Sequence, residues 1–207
     1  MPKMVQLREF QKNALFALED PKATSHHLLC ISPTGSGKSL IFERASRVVG
    51  RKTLLITPLV ALARQQYKKF QSLQIPVSLG SGGAKQPPPS SQSGVWIVSP
   101  ETLNFPNKMD LLKKWKPNFM VVDECHCLWE WGDRFRPSFR NLPRLLTELS
   151  ISRSLWLTAT LPFTAKQELR KQIPVPMIEL GEFNLPQQIH LSVLRIPIQD
   201  RIEALVH

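Results

Sequence analysis

The run Ser32-Pro-Thr-Gly-Ser-Gly-Lys-Ser39 constrains this chain more than any other feature. It follows a short apolar run, Leu28–Ile31, that reads as a buried strand, and it opens a segment of helical period over Ser39–Val49. Gly35 and Gly37 let the backbone curl so that successive N–H groups face inward, and the helix that follows adds its N-terminal dipole. Such a turn suits an anion, phosphate above all. Thr34, Gly35, Ser36 and Gly37 would line it. Lys38 would reach the outer phosphates of a nucleotide, and the Ser39 hydroxyl is placed for Mg2+. The strict pattern has glycine at position 32, where this chain has serine. A flexible Gly/Ser turn is the plain alternative.

The same alternation runs through the rest of the chain. Thr53–Thr57, Val95–Ser99, Phe119–Val122 and Ser154–Thr158 read as buried strands. Gln6–Leu18, Leu59–Phe70, Met109–Trp115, Arg140–Leu149 and Thr164–Gln172 read as helices. Strands alternating with helices predict an α/β fold, a mainly parallel sheet with helices on both faces, whose ligands gather at the carboxyl ends of the strands. The stretch Gly80–Gly94, rich in Gly, Ser and Pro, is expected to be a mobile spacer. Leu185–His207 stops without an obvious closing element, as expected of a chain cut from something longer.

A second chemical signal stands at the end of one strand. Phe119-Met-Val-Val-Asp-Glu124 delivers two carboxylates from an apolar run. Asp123 would hold Mg2+ beside the phosphate turn, and Glu124 would orient and deprotonate an attacking water. A strand end with solvated acids is the alternative for the pair taken alone.

Charge and cysteine content narrow the partners. Lys and Arg number 27 against 16 Asp and Glu, a net charge of +11. Residues 1–100 hold thirteen of those basic side chains and four of the acidic ones, so the excess is spread over the first half rather than gathered in a tail. A domain this positive attracts a polyanion, which puts nucleic acid first among partners, although a solvated lysine-rich surface has the same composition. Three cysteines are too few for a disulfide framework. Cys125-His126-Cys127 has the wrong spacing for zinc and no second Cys/His pair to complete a site, so no zinc is expected. No apolar run reaches the ~18–20 residues of a membrane helix and no signal-peptide core opens the chain, so an intracellular protein without a membrane partner is expected.

These motifs together carry a family resemblance. Asp123-Glu124-Cys125-His126 resembles the DEAH-type box of superfamily 2 helicases, with cysteine where alanine is usual. The longer run from Asp123 to Leu142, notably His126-Cys127, Trp131-Gly132 and Phe135-Arg136-Pro137, resembles motif II and the aromatic-rich loop of RecQ-type DNA helicases. Leu7-Arg-Glu-Phe-Gln11 is similar to motif 0, Thr57-Pro-Leu-Val-Ala-Leu62 to motif Ia, Val98-Ser-Pro-Glu-Thr-Leu103 to the segment after it, and Leu157-Thr-Ala-Thr160 to motif III.

The resemblance implies a RecA-like phosphate-loop NTPase domain: the first lobe of an ATP-dependent 3'-5' DNA helicase serving repair or recombination. It implies ATP and Mg2+ as cofactors, single-stranded and duplex DNA as partners, and a second RecA-like lobe in cis. It places the lobe at residues 1–194 and the start of a linker at 195–207. A nuclear location follows for a eukaryotic source and a cytoplasmic one for a bacterial source. In the family's terms Gln11 and Arg8 select the base, although the aromatic ring that usually stacks on adenine is missing from Met1–Gln6. Lys38, Asp123, Glu124 and His126 form the catalytic set, with His126 linking the phosphate site to Thr158 or Thr160. Trp131, Phe135 and Arg136 contact the single strand and report it to the ATPase site. Trp129 stays open, and Phe139 reads better as a core anchor. Thr57, Pro58, Ser99 and Pro100 fit either phosphate contact or ordinary strand-end capping. An RNA-directed helicase and a binding module with a vestigial nucleotide site remain as alternatives.

Overall fold

The computed structural model describes residues 6–23, 25–81, 86–127, 137–173 and 176–181, and of 137–140 the backbone alone. Seven strands form one parallel sheet: β1 (His27–Ile31), β2 (Lys52–Ile56), β3 (Val77–Leu79), β4 (Gly94–Val98), β5 (Phe119–Val122), β6 (Arg153–Thr158) and β7 (Met177–Gly181). Their order across the sheet is β3-β4-β2-β5-β6-β1-β7. Among the described residues the α-helices packed on the sheet are α1 (Glu9–Glu19), α2 (Ser39–Ala45), α3 (Val60–Ser72), α4 (Pro106–Trp115), α5 (Leu145–Glu148) and α6 (Phe163–Gln172).

The strand side chains alternate between two cores, as the pleat requires. Leu28, Cys30, Leu55, Phe119, Val121, Leu155 and Leu157 face one side, where Phe10, Ala14 and Leu18 of α1, Ile41 and Phe42 of α2, and Phe70 of α3 cover them. Leu29, Ile31, Ile56, Trp96, Met120, Val122 and Trp156 face the other, under Leu112 and Trp115 of α4, Leu145 of α5 and Leu169 of α6. Burial on both faces explains why these strands are continuous apolar runs rather than alternating ones. Among the described residues no helix is long and apolar enough to cross a membrane.

Several boundaries differ from the sequence reading. The helix expected over Arg140–Leu149 is a 3-10 helix, Pro137–Arg144, followed by the single turn of α5, because Pro143 has no N–H to donate inside an α-helix. Helix α2 ends at Ala45 rather than Val49. There the Arg51 guanidinium caps the Ala45 carbonyl at 3.1 Å, and Gly50 turns the chain at φ +78°. Strands β3 and β7 escaped the pattern reading. β3 has three residues, and β7 is a half-buried edge with Glu179 at its middle, paired to Lys166 and Arg170 of α6. The expected spacer is in part a cover for the sheet edge. Gln86 accepts the Leu79 N–H through Oε1 (2.8 Å), its own N–H reaches the Leu79 carbonyl (3.3 Å), and its carbonyl accepts the Trp96 indole N–H (3.2 Å). The boundary between residues 194 and 195 lies outside the described residues.

Candidate active site

The carboxyl edge of the sheet collects the predicted residues because β5, β6 and β1 are neighbours there, with Ile31 beside Thr158 and Val122 beside Trp156. After β1 the chain is held to β6 by one more bond, Ser32 N–H to the Thr158 carbonyl (3.1 Å), and then enters the glycine turn. Gly35 and Gly37 take φ +79° and +85°, values that an L side chain rarely adopts. The Lys38 ammonium folds back over the turn and donates to the carbonyls of Ser32 (2.6 Å) and Pro33 (3.1 Å). The hydroxyls of Ser32 and Ser36 are buried there without a hydrogen-bond partner in the protein. A built turn with two orphaned buried hydroxyls and a lysine inside it fits an oxygen-rich anion. Thr34 and Gly35 are exposed at its rim, and Ser39 is partly buried at the start of α2.

Gln11 is buried at 3% exposure and braces this turn. Its Nε2 donates to the carbonyls of Gly37 (2.9 Å) and Ser36 (3.3 Å), and its Oε1 accepts the Arg8 N–H at the start of α1 (2.9 Å). A Cβ on Gly37 would lie 2.7 Å from Gln11 Nε2, so a side chain there would push the brace aside as well as strain φ. The sequence reading gave Gln11 to the base and missed this bracing. A capping-type glutamine three residues into the helix was the available signal. Arg8 lies beside a groove of about 200 Å3, lined also by Glu9, Phe10, Asn13, Leu180 and Gly181.

The acidic pair leaves β5 in a sharp turn. Asp123 N–H still bonds the Ile56 carbonyl (2.9 Å), whereas Glu124 takes φ +53° and the chain swings onto β6 through Cys125 N–H to the Leu157 carbonyl (2.8 Å). A non-glycine residue in that region costs roughly 1 kcal/mol, and here it is over-determined by neighbours on both sides. Burial, and next the Glu124 carboxylate, push the Asp123 carboxyl up to about 6. The Glu124 N–H (3.1 Å from Asp123 Oδ1) and the field of Lys38 act the other way. Lys38 and Asp123 are therefore within electrostatic reach. A carboxylate held so reluctantly ionised is one that a cation would restore.

From Glu124 a polar chain crosses to β6. His126 Nδ1 lies 3.2 Å from Glu124 Oε2 and 3.1 Å from Thr158 Oγ1. Thr158 Oγ1 donates to the Thr160 carbonyl (2.7 Å) and accepts the Thr160 N–H (3.3 Å). Cys127 Sγ stands 3.6 Å from His126 Nε2, a contact the sequence reading did not anticipate. Trp129, Trp131, Phe135 and Arg136 lie outside the described residues, as does the side chain of Phe139.

A parallel α/β sheet with a lysine-bearing glycine turn and an acidic strand end at one edge has the layout of a RecA-like domain. The profile of the DEAD/DEAH box helicases matches residues 8–169, and the chain belongs to that family. Among curated proteins it is similar to ATP-dependent DNA helicase Q4 of Mus musculus, at 30% identity over 80% of this chain and 15% of that protein. It is also similar to ATP-dependent DNA helicase RecQ of Haemophilus influenzae, at 27% identity over 76% of this chain and 27% of that protein. The chain thus spans between about a seventh and a quarter of those relatives' length. Among solved structures the Pyrococcus furiosus Hef helicase domain matches with a TM-score of 0.61 at 20% identity, covering 87% of this chain and 39% of that one.

Proposed function

We propose that this chain is the first motor lobe of a RecQ-type ATP-dependent DNA helicase. The observation that carries the reading is the convergence of the Lys38 turn and the Asp123-Glu124 strand end on one edge of the sheet. On a triphosphate, Lys38 exchanges the two carbonyls it now contacts for phosphate oxygens, and the buried Ser32 and Ser36 hydroxyls gain acceptors. The Asp123 carboxyl and the Ser39 hydroxyl are the groups that would hold Mg2+, whose charge would offset that of the phosphates. Glu124 takes the proton of the attacking water, and its bond to His126 orients the carboxylate. The base lies toward Arg8 and Gln11, beside the groove that ends at Gly181. Thr158 and Thr160 tie the acid pair to the strand beside the phosphate turn, so a change at the phosphates reaches β6 directly. Trp131, Phe135 and Arg136 serve the single strand in this reading, through stacking and phosphate contact.

Full activity belongs to a two-lobed protein. An arginine finger from a second lobe is worth ~10³–10⁵ in rate, so the 207-residue chain is expected to bind ATP, hydrolyse it very slowly and leave duplexes intact. Titration with a fluorescent ATP analogue tests the reading: Lys38→Ala abolishes binding. Unchanged binding by that variant, or robust strand separation by this chain alone, would refute it. Stronger stimulation of a two-lobed protein by single-stranded RNA than by DNA would assign it to the RNA helicases.

A further inference from the structure

We propose that the exposed face of α2 and α3 is a docking surface for the backbone of a nucleic-acid duplex, with Arg47, Arg64, Lys68 and Lys69 as its phosphate contacts. The two helices lie side by side: the Phe42 and Phe70 rings meet at 6.1 Å between centroids, and Lys69 Nζ stands 3.8 Å from Glu43 Oε2. Glu43 is the one acid on either helix, and it is buried at 8% exposure. Burial pushes its carboxyl up, while Lys69 and then Arg47 pull it down, so both cations stand around it. One buried carboxylate thus meets two cations that are themselves exposed. Arg64 and Lys68 are exposed one turn apart on α3 and form no salt bridge among the described residues.

Helix dipoles explain part of this pattern. Lys69 in the last turn of α3 and Arg47 just past α2 stand near carbonyl ends, where a cation is favoured. Arg64 is not placed so. It stands in the amino-terminal half of α3, and Lys68 four residues on repels it. Like charges held together in this way fit a polyanion, which releases its counterions on contact. A single strand is held by exposed rings as well as by charge. On these helices Phe42 and Phe70 are fully buried and Tyr67 is partly so, and the face presents cations. Four cations spread over two helices match the two phosphate rows of a duplex. Helices that join parallel strands run back from the carboxyl edge of the sheet. Arg47, Lys68 and Lys69 therefore lie toward the amino edge, away from Lys38 and Asp123. The surface shares no residue with the single-strand contacts proposed above.

The test is the fluorescence anisotropy of a blunt-ended DNA duplex of about 20 base pairs, titrated with the 207-residue chain between about 50 and 200 mM salt, without nucleotide. Each phosphate contact adds about 0.9 to the slope of log affinity against log salt. Arg47→Gln/Arg64→Gln/Lys68→Gln is expected to lower that slope by about 2–3 and to weaken binding about tenfold or more at the low-salt end. Its affinity for a fluorescent ATP analogue stays that of the wild type. Lys113→Gln/Lys114→Gln/Lys116→Gln removes the same charge from exposed positions of α4 and its end, on the other face of the sheet, and keeps the slope within about 0.5 of the wild type. Arg64→Gln alone lowers it by about 0.9 and serves should the triple variant not fold. Equal losses in both triple variants would reduce the effect to net charge and overturn the proposal. So would a wild type that leaves the duplex free, or an α2–α3 variant with the wild-type slope. Polyglutamate or anionic vesicles that displace the duplex from the wild type at lower charge concentration would give the face to an acidic protein or a membrane instead. Because no ATP enters the duplex titration, its failure leaves the motor reading standing, and failure of ATP binding leaves this surface standing.

Discussion

Replacing Asp123 with asparagine separates what this residue does for stability from what it does for nucleotide. In the fold the carboxyl is pushed from 3.8 up to about 6, first by burial and then by Glu124. An acid whose folded value lies above its unfolded one is held protonated by the fold. Its contribution therefore turns against the folded state as pH rises from below 4 to above 6, and stays against it at neutral pH. A shift of about two units at 1.36 kcal/mol each sets a ceiling of about 3 kcal/mol. Asparagine keeps an oxygen to accept the Glu124 N–H, now at 3.1 Å, and loses the charge. Urea denaturation of both chains between pH 4 and 8 measures the difference. Asp123→Asn is expected to match the wild type near pH 4 and to exceed it by about 2 kcal/mol at pH 7.5. With Mg2+ and nucleotide at a hundred times the dissociation constant the order changes, because the wild type gains about 2.7 kcal/mol and the variant gains little. A stability difference that is flat with pH, or a variant less stable than wild type at pH 7.5 without ligand, would refute the account of this carboxyl.

Two further changes test the frame around the site. Gly37→Ala forces a side chain into φ +85° and to 2.7 Å from Gln11 Nε2, so the brace must move. We expect a loss of about 1–3 kcal/mol in thermal or urea unfolding and at least a tenfold weaker ATP analogue, and an unaffected affinity would show the brace to be dispensable. Arg51→Met removes a guanidinium that is 5% exposed, caps Ala45, pairs with Glu19 and lies 5.4 Å over the Phe119 ring. Glu19 is 39% exposed and returns to water, so we expect about 1–3 kcal/mol rather than the larger cost of a stranded buried charge; a loss below about 0.5 kcal/mol in urea unfolding would contradict it.

The sequence made the central strands legible because a strand covered on both faces must be apolar at every position, as Leu28–Ile31 and Phe119–Val122 are. The glycine turn after β1 was legible for a related reason: Gly35 and Gly37 adopt backbone angles that few other residues tolerate. Edge elements were not. β7 has Glu179 at its centre because an edge can send a carboxylate out to Lys166 and Arg170, and that breaks the pattern a reader looks for. The second use of Gln11 was hidden because a side-chain amide bonding to carbonyls 25 and 26 residues away leaves no local trace. The positive φ of Glu124 was hidden too, since tertiary bonds from β6 impose it on a residue with no preference for it.

The glutamine at position 86 bears on how such a lobe behaves at high concentration. A three-strand-wide flank ending in a short outer segment would ordinarily offer free peptide groups to a neighbour's backbone. Here one side-chain amide and its own main chain imitate the missing strand, satisfying both polar groups of Leu79 with a single residue. That plug removes one residue's pair of free peptide groups from the margin that a second copy would otherwise meet.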